Sequence, residues 1–195
     1  IFLMTAFNTF FWMDDFWKRK EILQLGLFQF QWNVYWNWDG RGVSPIYTLR
    51  NFVLLMVDYP YSWVATLISF FFIFALSYFI AKIILKDKYN LISKYQKCLF
   101  TILISFVLIM IFRPHLSRTL YWATGSFYIY ANFFSIFLVY RLLKIPNSWW
   151  NIIWVGVAIS TGPNNALMLL AFLVLGYLLK VIEIKRFHFW TFLAI

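Results

Sequence analysis

Long runs of residues without charge limit this chain more than any other feature of its sequence. Residues 61–81 are 21 uncharged residues in succession, and residues 145–179 are 35. About 20 apolar residues in a helix cross the hydrocarbon core of a bilayer. With 63% of the residues hydrophobic and only 12% charged, the composition is not that of a soluble domain. The sequence therefore predicts an all-α, polytopic transmembrane helical bundle.

Charged residues and turn signals divide this bundle into spans. We expect spans over residues 61–81, 98–112 and 119–140, and we expect residues 145–179 to form two short helices. These two short helices are separated at Thr161-Gly162-Pro163-Asn164-Asn165, a typical turn sequence. Because Ile1 and Ile195 both lie inside apolar stretches, we expect residues 1–195 to be a single transmembrane domain whose first and last spans are truncated.

Residues 13–60 are more polar and are predicted to form the first external loop. Leu23, Leu27, Phe30 and Val34 recur at helical spacing, which predicts an interfacial helix over residues 22–36. Ser44-Pro45 is a helix start, with a capping hydroxyl before proline. This second helix should continue to about Val57, with Ile46, Leu49, Phe52 and Met56 on one side. We expect Asp14, Asp15 and Asp39 to lie outside these helices.

The basic residues indicate how the bundle is oriented. Connectors 82–97, 141–144 and 180–186 carry five, two and three basic residues, while the short loops predicted on the opposite side carry only two. Cytoplasmic loops of membrane proteins are enriched in Lys and Arg. We therefore place these connectors in the cytoplasm and the first loop outside. The sequence has no Asn-x-Ser/Thr glycosylation site, which fits a bacterial inner membrane. The net charge of +10 then reflects membrane orientation and does not indicate nucleic acid as a partner.

This orientation gathers the polar loop residues at the outer surface. Carboxylates can deprotonate a hydroxyl or hold a divalent cation such as Mg²⁺ or Mn²⁺, and Asp14 and Asp15 are the candidate ligands for such a cation. Guanidinium groups bind phosphate oxygens. Together they favour a lipid-linked phosphate as a substrate and an activated hydroxyl as the attacking group. The candidate residues are Asp14, Asp15, Asp39, Arg41, Arg113, His115, Arg118, Asn164 and Asn165.

Each of these residues also has a structural interpretation. Asp14 and Asp15 can cap the helix that follows, since a helix N-terminus favours negative charge. Asp39 and Arg41 can stabilise their turn, and the two arginines of the second loop can flank spans or bind lipid headgroups. His115 can be an interfacial polar residue, because no spacing of His, Cys and carboxylate residues marks a metal site.

Short motifs along the chain resemble those of the GT-C superfamily of membrane glycosyltransferases, in particular a group of bacterial multi-pass proteins. They are Asp14-Asp15-Phe16, Trp38-Asp39-Gly40-Arg41, Arg118 with Tyr121-Trp122-Ala123-Thr124-Gly125-Ser126 and Tyr130, and Gly162-x-Asn164-Asn165. The resemblance implies a GT-C-like bundle and a polyprenyl-phosphate-linked sugar as donor. It also implies that a first-loop aspartate, Asp14 or Asp15, is the catalytic base.

From these observations we expect a glycosyltransferase that acts on the extracytoplasmic side. Arg113, Arg118 and Arg41 would hold the donor phosphate, while Tyr121 and Trp122 would stack on sugar rings. The alternative is a non-catalytic membrane subunit, a degenerate GT-C-like protein that binds a protein partner or lipid. Ala166 favours this alternative, because proteins of the GT-C type often carry an acidic residue beside the third-loop asparagine. A transporter would need ionisable groups at mid-membrane, which the predicted spans lack.

Overall fold

The computed structural model describes residues 13–37, 44–56, 63–112, 126–145, 148–161 and 163–178. Throughout these ranges the regular structure is helical, without a strand, which confirms the all-α class for this part of the chain. The helices described are α1 (Met13–Leu25), α2 (Leu27–Asn37), α3 (Pro45–Met56), α4 (Trp63–Leu85), α5 (Lys88–Leu91), α6 (Lys94–Phe112), α7 (Ser126–Lys144), α8 (Trp150–Ile159) and α9 (Pro163–Leu178).

Two helices in the described ranges are long and apolar enough to cross a membrane. They are α4, with 23 residues, and the 18 residues Lys94–Ile111 of α6. Both correspond to spans that the sequence predicts. Helix α7, the third predicted span, is not one of the two, and α8 is apolar but shorter.

The predicted helix start at Ser44-Pro45 is confirmed. The Ser44 hydroxyl accepts a hydrogen bond from the Ile46 amide at 3.3 Å, and the Ser44 carbonyl accepts one from the Thr48 amide at 2.9 Å. Proline fits the first position of α3, where its missing N–H would have no partner within the helix. Local chemistry therefore defines where α3 begins.

The segment before α3 differs from the prediction. Residues 22–36, predicted as one helix, belong to two helices that meet at Gly26, where φ is +82°. Glycine adopts this left-handed conformation without the steric cost that a Cβ brings. Asp14 and Asp15, expected outside a helix, lie in the first turn of α1. The loop therefore contributes three described helices, α1 to α3, rather than two.

The buried faces of these helices also differ from the predicted apolar stripes. Phe30 and Val34 are buried as expected, but Leu23 of the same stripe is 65% exposed. In α3 the predicted stripe includes Phe52 and Met56, which are both exposed. Polar residues occupy part of the buried surface instead.

The long helices alternate in direction around an aromatic interface. Helices α4 and α7 run parallel, because Phe72 contacts Tyr130 with ring centroids 4.5 Å apart and Phe79 contacts Tyr140 at 5.1 Å. Helix α6 runs antiparallel to α4, and the Ser105 hydroxyl donates to that of Ser77 across 2.8 Å. We call the two ends of the bundle the α3 end and the α5 end.

Helices α8 and α9 continue the alternating up-and-down course of the long helices. The predicted break between them is confirmed, since α8 ends at Ile159 and α9 begins at Pro163. The turn from α7 into α8 is fixed by Arg141, whose Nε donates to Asn151 Oδ1 at 2.9 Å. The Asn151 side chain in turn donates to the Ile145 carbonyl at 2.8 Å.

Candidate functional site

Helix α1 buries a carboxylate and an ammonium group. Asp15 is 0% exposed, Lys18 is 4% exposed and Ile22 is 2% exposed. Their spacing of three and four residues places them on one face of α1. This helix packs against α2 and α3, so its charged residues are enclosed at the α3 end of the bundle.

Helix α3 contributes a second buried cation. Arg50 is 3% exposed, and its Cζ lies 3.8 Å above the centroid of the Tyr47 ring. The guanidinium Nε donates to Asn51 Oδ1 at 3.0 Å, and Nη2 donates to the same oxygen. Tyr47 itself contacts Phe127 of α7 at 5.9 Å between ring centroids. The ring and the amide therefore fix the position of the Arg50 guanidinium.

The side-chain amide of Asn51 is buried, and its nitrogen has no hydrogen-bond acceptor among the described residues. This side chain is 0% exposed, and its oxygen is used by Arg50. A buried amide without a partner costs about 1–3 kcal/mol. A hydroxyl or an anion bound at this point would remove that cost.

Two polar contacts hold the elements of the site together. Gln31 of α2 donates through Nε2 to the Thr48 hydroxyl of α3 at 2.7 Å. The hydroxyl groups of Ser44, before α3, and Ser160, after α8, lie 3.0 Å apart. Helix α3 is thus tied to α2 on one side and to the end of α8 on the other.

The electrostatics of this site are unusual for a helical interface. Asp15, Lys18 and Arg50 contribute two cations and one carboxylate, all nearly or wholly buried. Placing a charge in the interior costs several kcal/mol unless charged or polar partners surround it. Because apolar residues would pack there at lower cost, buried ionisable groups near a membrane are candidates for function.

Most of the residues that the sequence predicts for the site cannot be compared directly. Asp15 is placed and buried, whereas for Asp14 the structure describes the backbone alone, in the first turn of α1. Asn164 and Asn165 lie in the first turn of α9, again without described side chains. The candidates outside the described ranges are Asp39, Arg41, Arg113, His115, Arg118, Tyr121 and Trp122.

The helices that lead into the predicted loops do reach the α3 end. Ile109, near the end of α6, and Phe127, near the start of α7, belong to the same buried cluster as Ile22 and Ile46. Ser160, before the third loop, contacts Ser44. The three loops therefore depart from helix ends that lie together. Whether their side chains share one pocket stays a prediction.

Three buried residues of this site, Lys18, Arg50 and Asn51, were not predicted. The apolar residues at helical spacing in α3 predicted that Ile46, Leu49, Phe52 and Met56 share one side of the helix. That pattern did not predict the burial of Arg50 and Asn51. The sequence does contain a signal for Arg50, because it is the single charged residue of α3. A charge inside an otherwise apolar helix near a membrane indicates a functional position.

The described side chains do not form a binding group for the predicted divalent cation. No group of three His, Cys, Asp or Glu residues comes together in the described ranges. Asp14 and Asp15 were the predicted ligands, and of these only Asp15 has a described side chain. The cation therefore stays a prediction.

We compared the chain with known families, proteins and structures. No family model, curated protein or solved structure matches the chain.

Proposed function

We propose that this chain is part of a polytopic protein of the bacterial inner membrane, a GT-C-like glycosyltransferase acting on the extracytoplasmic side. Its donor is a sugar linked to polyprenyl phosphate. One observation carries the proposal: a wholly buried carboxylate, Asp15, lies with the cations Lys18 and Arg50 at the bundle end where α1 to α3 pack. A transferase needs an acid–base group and cations in this combination.

The membrane arrangement is supported by α4, α6 and the exposed aromatic residues. Helices α4 and α6 have the length and composition of spans. Phe28, Trp32 and Trp36 follow one another at intervals of four along α2 and are 82%, 53% and 64% exposed. Tryptophan is enriched at membrane–water interfaces, so α2 lies on the membrane surface in this proposal.

The reaction follows from the charges. The acceptor hydroxyl attacks the anomeric carbon of the sugar, and the bond from that carbon to the phosphate oxygen breaks. Asp15 or Asp14 takes the hydroxyl proton, and polyprenyl phosphate leaves with the electron pair. Lys18 follows Asp15 by three residues on the same face of α1, and Arg50 is buried in α3, against which α1 packs. Asn51 Nδ2 offers a further donor. Arg41, Arg113 and Arg118 hold the departing phosphate, and Tyr121 and Trp122 stack on the sugar.

The decisive test replaces the carboxylate. Asp15→Asn should lower transfer from a radiolabelled polyprenyl-phosphate sugar by about 10²–10⁴-fold, because proton transfer in the transition state is lost. Asp14→Asn is measured in parallel to identify which of the two carries the proton. Glu21→Gln, a carboxylate change further along α1, is the matched control and should keep near-wild-type turnover.

The second candidate, a non-catalytic membrane subunit, is favoured by the enclosure of the same residues. Asp15 and Lys18 are 0% and 4% exposed, which also suits charges that only fix α1 in place. In that case Asp15→Asn would lower the thermal unfolding temperature in detergent while any transfer activity of the membranes stayed constant. Wild-type turnover in both aspartate variants would exclude the catalytic assignment.

A further inference from the structure

The α5 end of the bundle carries a cluster that the transferase proposal does not use. The Lys82 ammonium lies 4.5 Å from the ring centroid of Tyr78, 5.3 Å from that of Tyr140 and 5.7 Å from that of Tyr89. Lys97 of α6 approaches the same Tyr89 ring at 5.1 Å. We call Tyr78, Lys82, Tyr89, Lys97 and Tyr140 the lysine–tyrosine cluster. It joins α4, α5, α6 and α7.

Two ammonium groups approach the same aromatic ring, which concentrates positive charge at this point. Tyr89 is 7% exposed and positions Lys82 and Lys97 through cation–π contacts. Burial raises the pKa of the Tyr89 phenol, so the phenol stays neutral and supplies no counter-charge to the two lysines. The nearest carboxylate in the described sequence, Asp87, is 98% exposed and forms an ion pair with Lys144 at 3.3 Å. The ring contacts leave the cluster formally cationic.

The surroundings add further positive charge. Over the described residues, this end carries seven cationic side chains and one carboxylate, Asp87. The cations are Lys82, Lys86, Lys88, Lys94, Lys97, Arg141 and Lys144. Such a surface attracts anions, and the attraction is stronger at the surface of a membrane containing anionic lipid.

An apolar strip leads from the middle of α4 to the cluster. Phe74, Tyr78 and Lys82 are spaced four residues apart and therefore lie on one face of the helix. Phe74 is 45% exposed and Tyr78 is 37% exposed. On α6, Leu99 and Ile102 are 45% and 49% exposed. Exposed apolar side chains beside the cluster offer a surface for acyl chains, which favours a phospholipid over a phosphate ion from water.

We propose that the lysine–tyrosine cluster binds the phosphate headgroup of an anionic phospholipid in the cytoplasmic leaflet. Lys82 and Lys97 provide the charge, the Tyr89 ring holds both ammonium groups in place, and Phe74 contacts an acyl chain. The proposal rests on the membrane placement given above but not on transferase activity. The two proposals can therefore fail separately.

The test uses the full chain in nanodiscs of phosphatidylcholine with a fixed fraction of phosphatidylglycerol. Native mass spectrometry counts the phosphatidylglycerol molecules that remain bound. Lys82→Gln with Lys97→Gln should weaken phosphatidylglycerol binding about tenfold or more, because both charge-assisted hydrogen bonds to the phosphate are lost. The matched control, Lys88→Gln with Lys94→Gln, removes the same charge from exposed positions outside the cluster. It should change binding by no more than about threefold, because salt screens exposed charges.

A second pair of variants tests the aromatic contribution. Tyr89→Phe keeps the ring and should retain the lipid, whereas Tyr89→Leu should lose affinity about threefold because the cation–π contacts disappear. Thermal unfolding of each variant in detergent confirms that the fold is kept. Equal weakening by both lysine pairs would mean a diffuse basic surface and would overturn the proposal. So would displacement of the lipid by millimolar inorganic phosphate.

Discussion

Among the described residues, Gly26 and Gly156 face open space but differ in backbone conformation. A Cβ added to Gly26 or to Gly156 would have no heavy atom within 4 Å. Gly26 has a φ of +82°, whereas Gly156 lies in the interior of α8. Steric contacts therefore cannot distinguish the two positions, and the backbone alone decides what a side chain costs.

We expect alanine to have opposite effects at these glycines. Gly26→Ala should lower the free energy of unfolding by about 1–2 kcal/mol, because a left-handed conformation brings Cβ against the backbone. Gly156→Ala should raise it by up to about 1 kcal/mol, because alanine favours the helix. Denaturation of the purified protein in detergent measures both. A stabilising effect of Gly26→Ala would show that α1 and α2 do not require this turn.

At the candidate site, residue type was easier to predict than burial. The sequence identified Asp15 because two adjacent carboxylates stand out in a chain with seven acidic residues. It did not identify Lys18 or Arg50, because a lysine or arginine in an interfacial helix normally extends its charge to water. Their burial depends on which face of α1 meets α3, and that is a property of the assembled helices.

At the scale of the helices, local sequence signals predicted where a helix begins and ends better than they predicted which of its faces is buried. Ser44-Pro45 defines the start of α3, and Gly162-Pro163 separates α8 from α9, because a cap or a proline acts on its immediate neighbours. The division at Gly26 was missed, since a single glycine inside a periodic pattern is often tolerated within a helix. The apolar stripe of α3 was misassigned because Arg50 and Asn51 are buried while Phe52 and Met56 are exposed, so apolar spacing alone does not identify the face that packs.

The pairing of α4 with α6 provides a test between helices. Ser77 and Ser105 are both buried, and their hydroxyl groups are 2.8 Å apart. We expect a double-mutant cycle with Ser77→Ala and Ser105→Ala to give a coupling free energy of about 0.6 kcal/mol, the usual value between transmembrane helices. The cycle is measured by unfolding in detergent.

The control for this cycle is Ser69, also buried on α4. Its hydroxyl donates to the Ala65 carbonyl of the same helix at 3.0 Å. A cycle of Ser69→Ala with Ser105→Ala should show no coupling, since distant sites contribute additively. Equal coupling in both cycles would show that the α4–α6 hydrogen bond does not contribute to their association.

Over the whole molecule, the parallel course of α4 and α7 determines which groups share an end. Asp15, Lys18 and Arg50 lie at the α3 end, while Lys82 and Lys97 lie at the α5 end. Helices of alternating direction carry the chain from one end to the other. If the bundle spans a membrane, the two sites face opposite compartments. The excess of cations at the α5 end then places the carboxylate site outside, where a polyprenyl-linked donor would be used.

Cysteine labelling tests this arrangement as a whole. Cys98 is the single cysteine of the chain, so Cys98→Ser provides a background without thiols. Lys20→Cys on α1 and Lys88→Cys on α5 then introduce one thiol at an exposed position at each end. A membrane-impermeant maleimide should label the first in intact spheroplasts and the second only after permeabilisation, because the reagent reaches a single face of the membrane. The reverse pattern would place Asp15 in the cytoplasm and remove the basis of the transferase proposal, and equal labelling of both would mean that the chain does not cross the membrane between them.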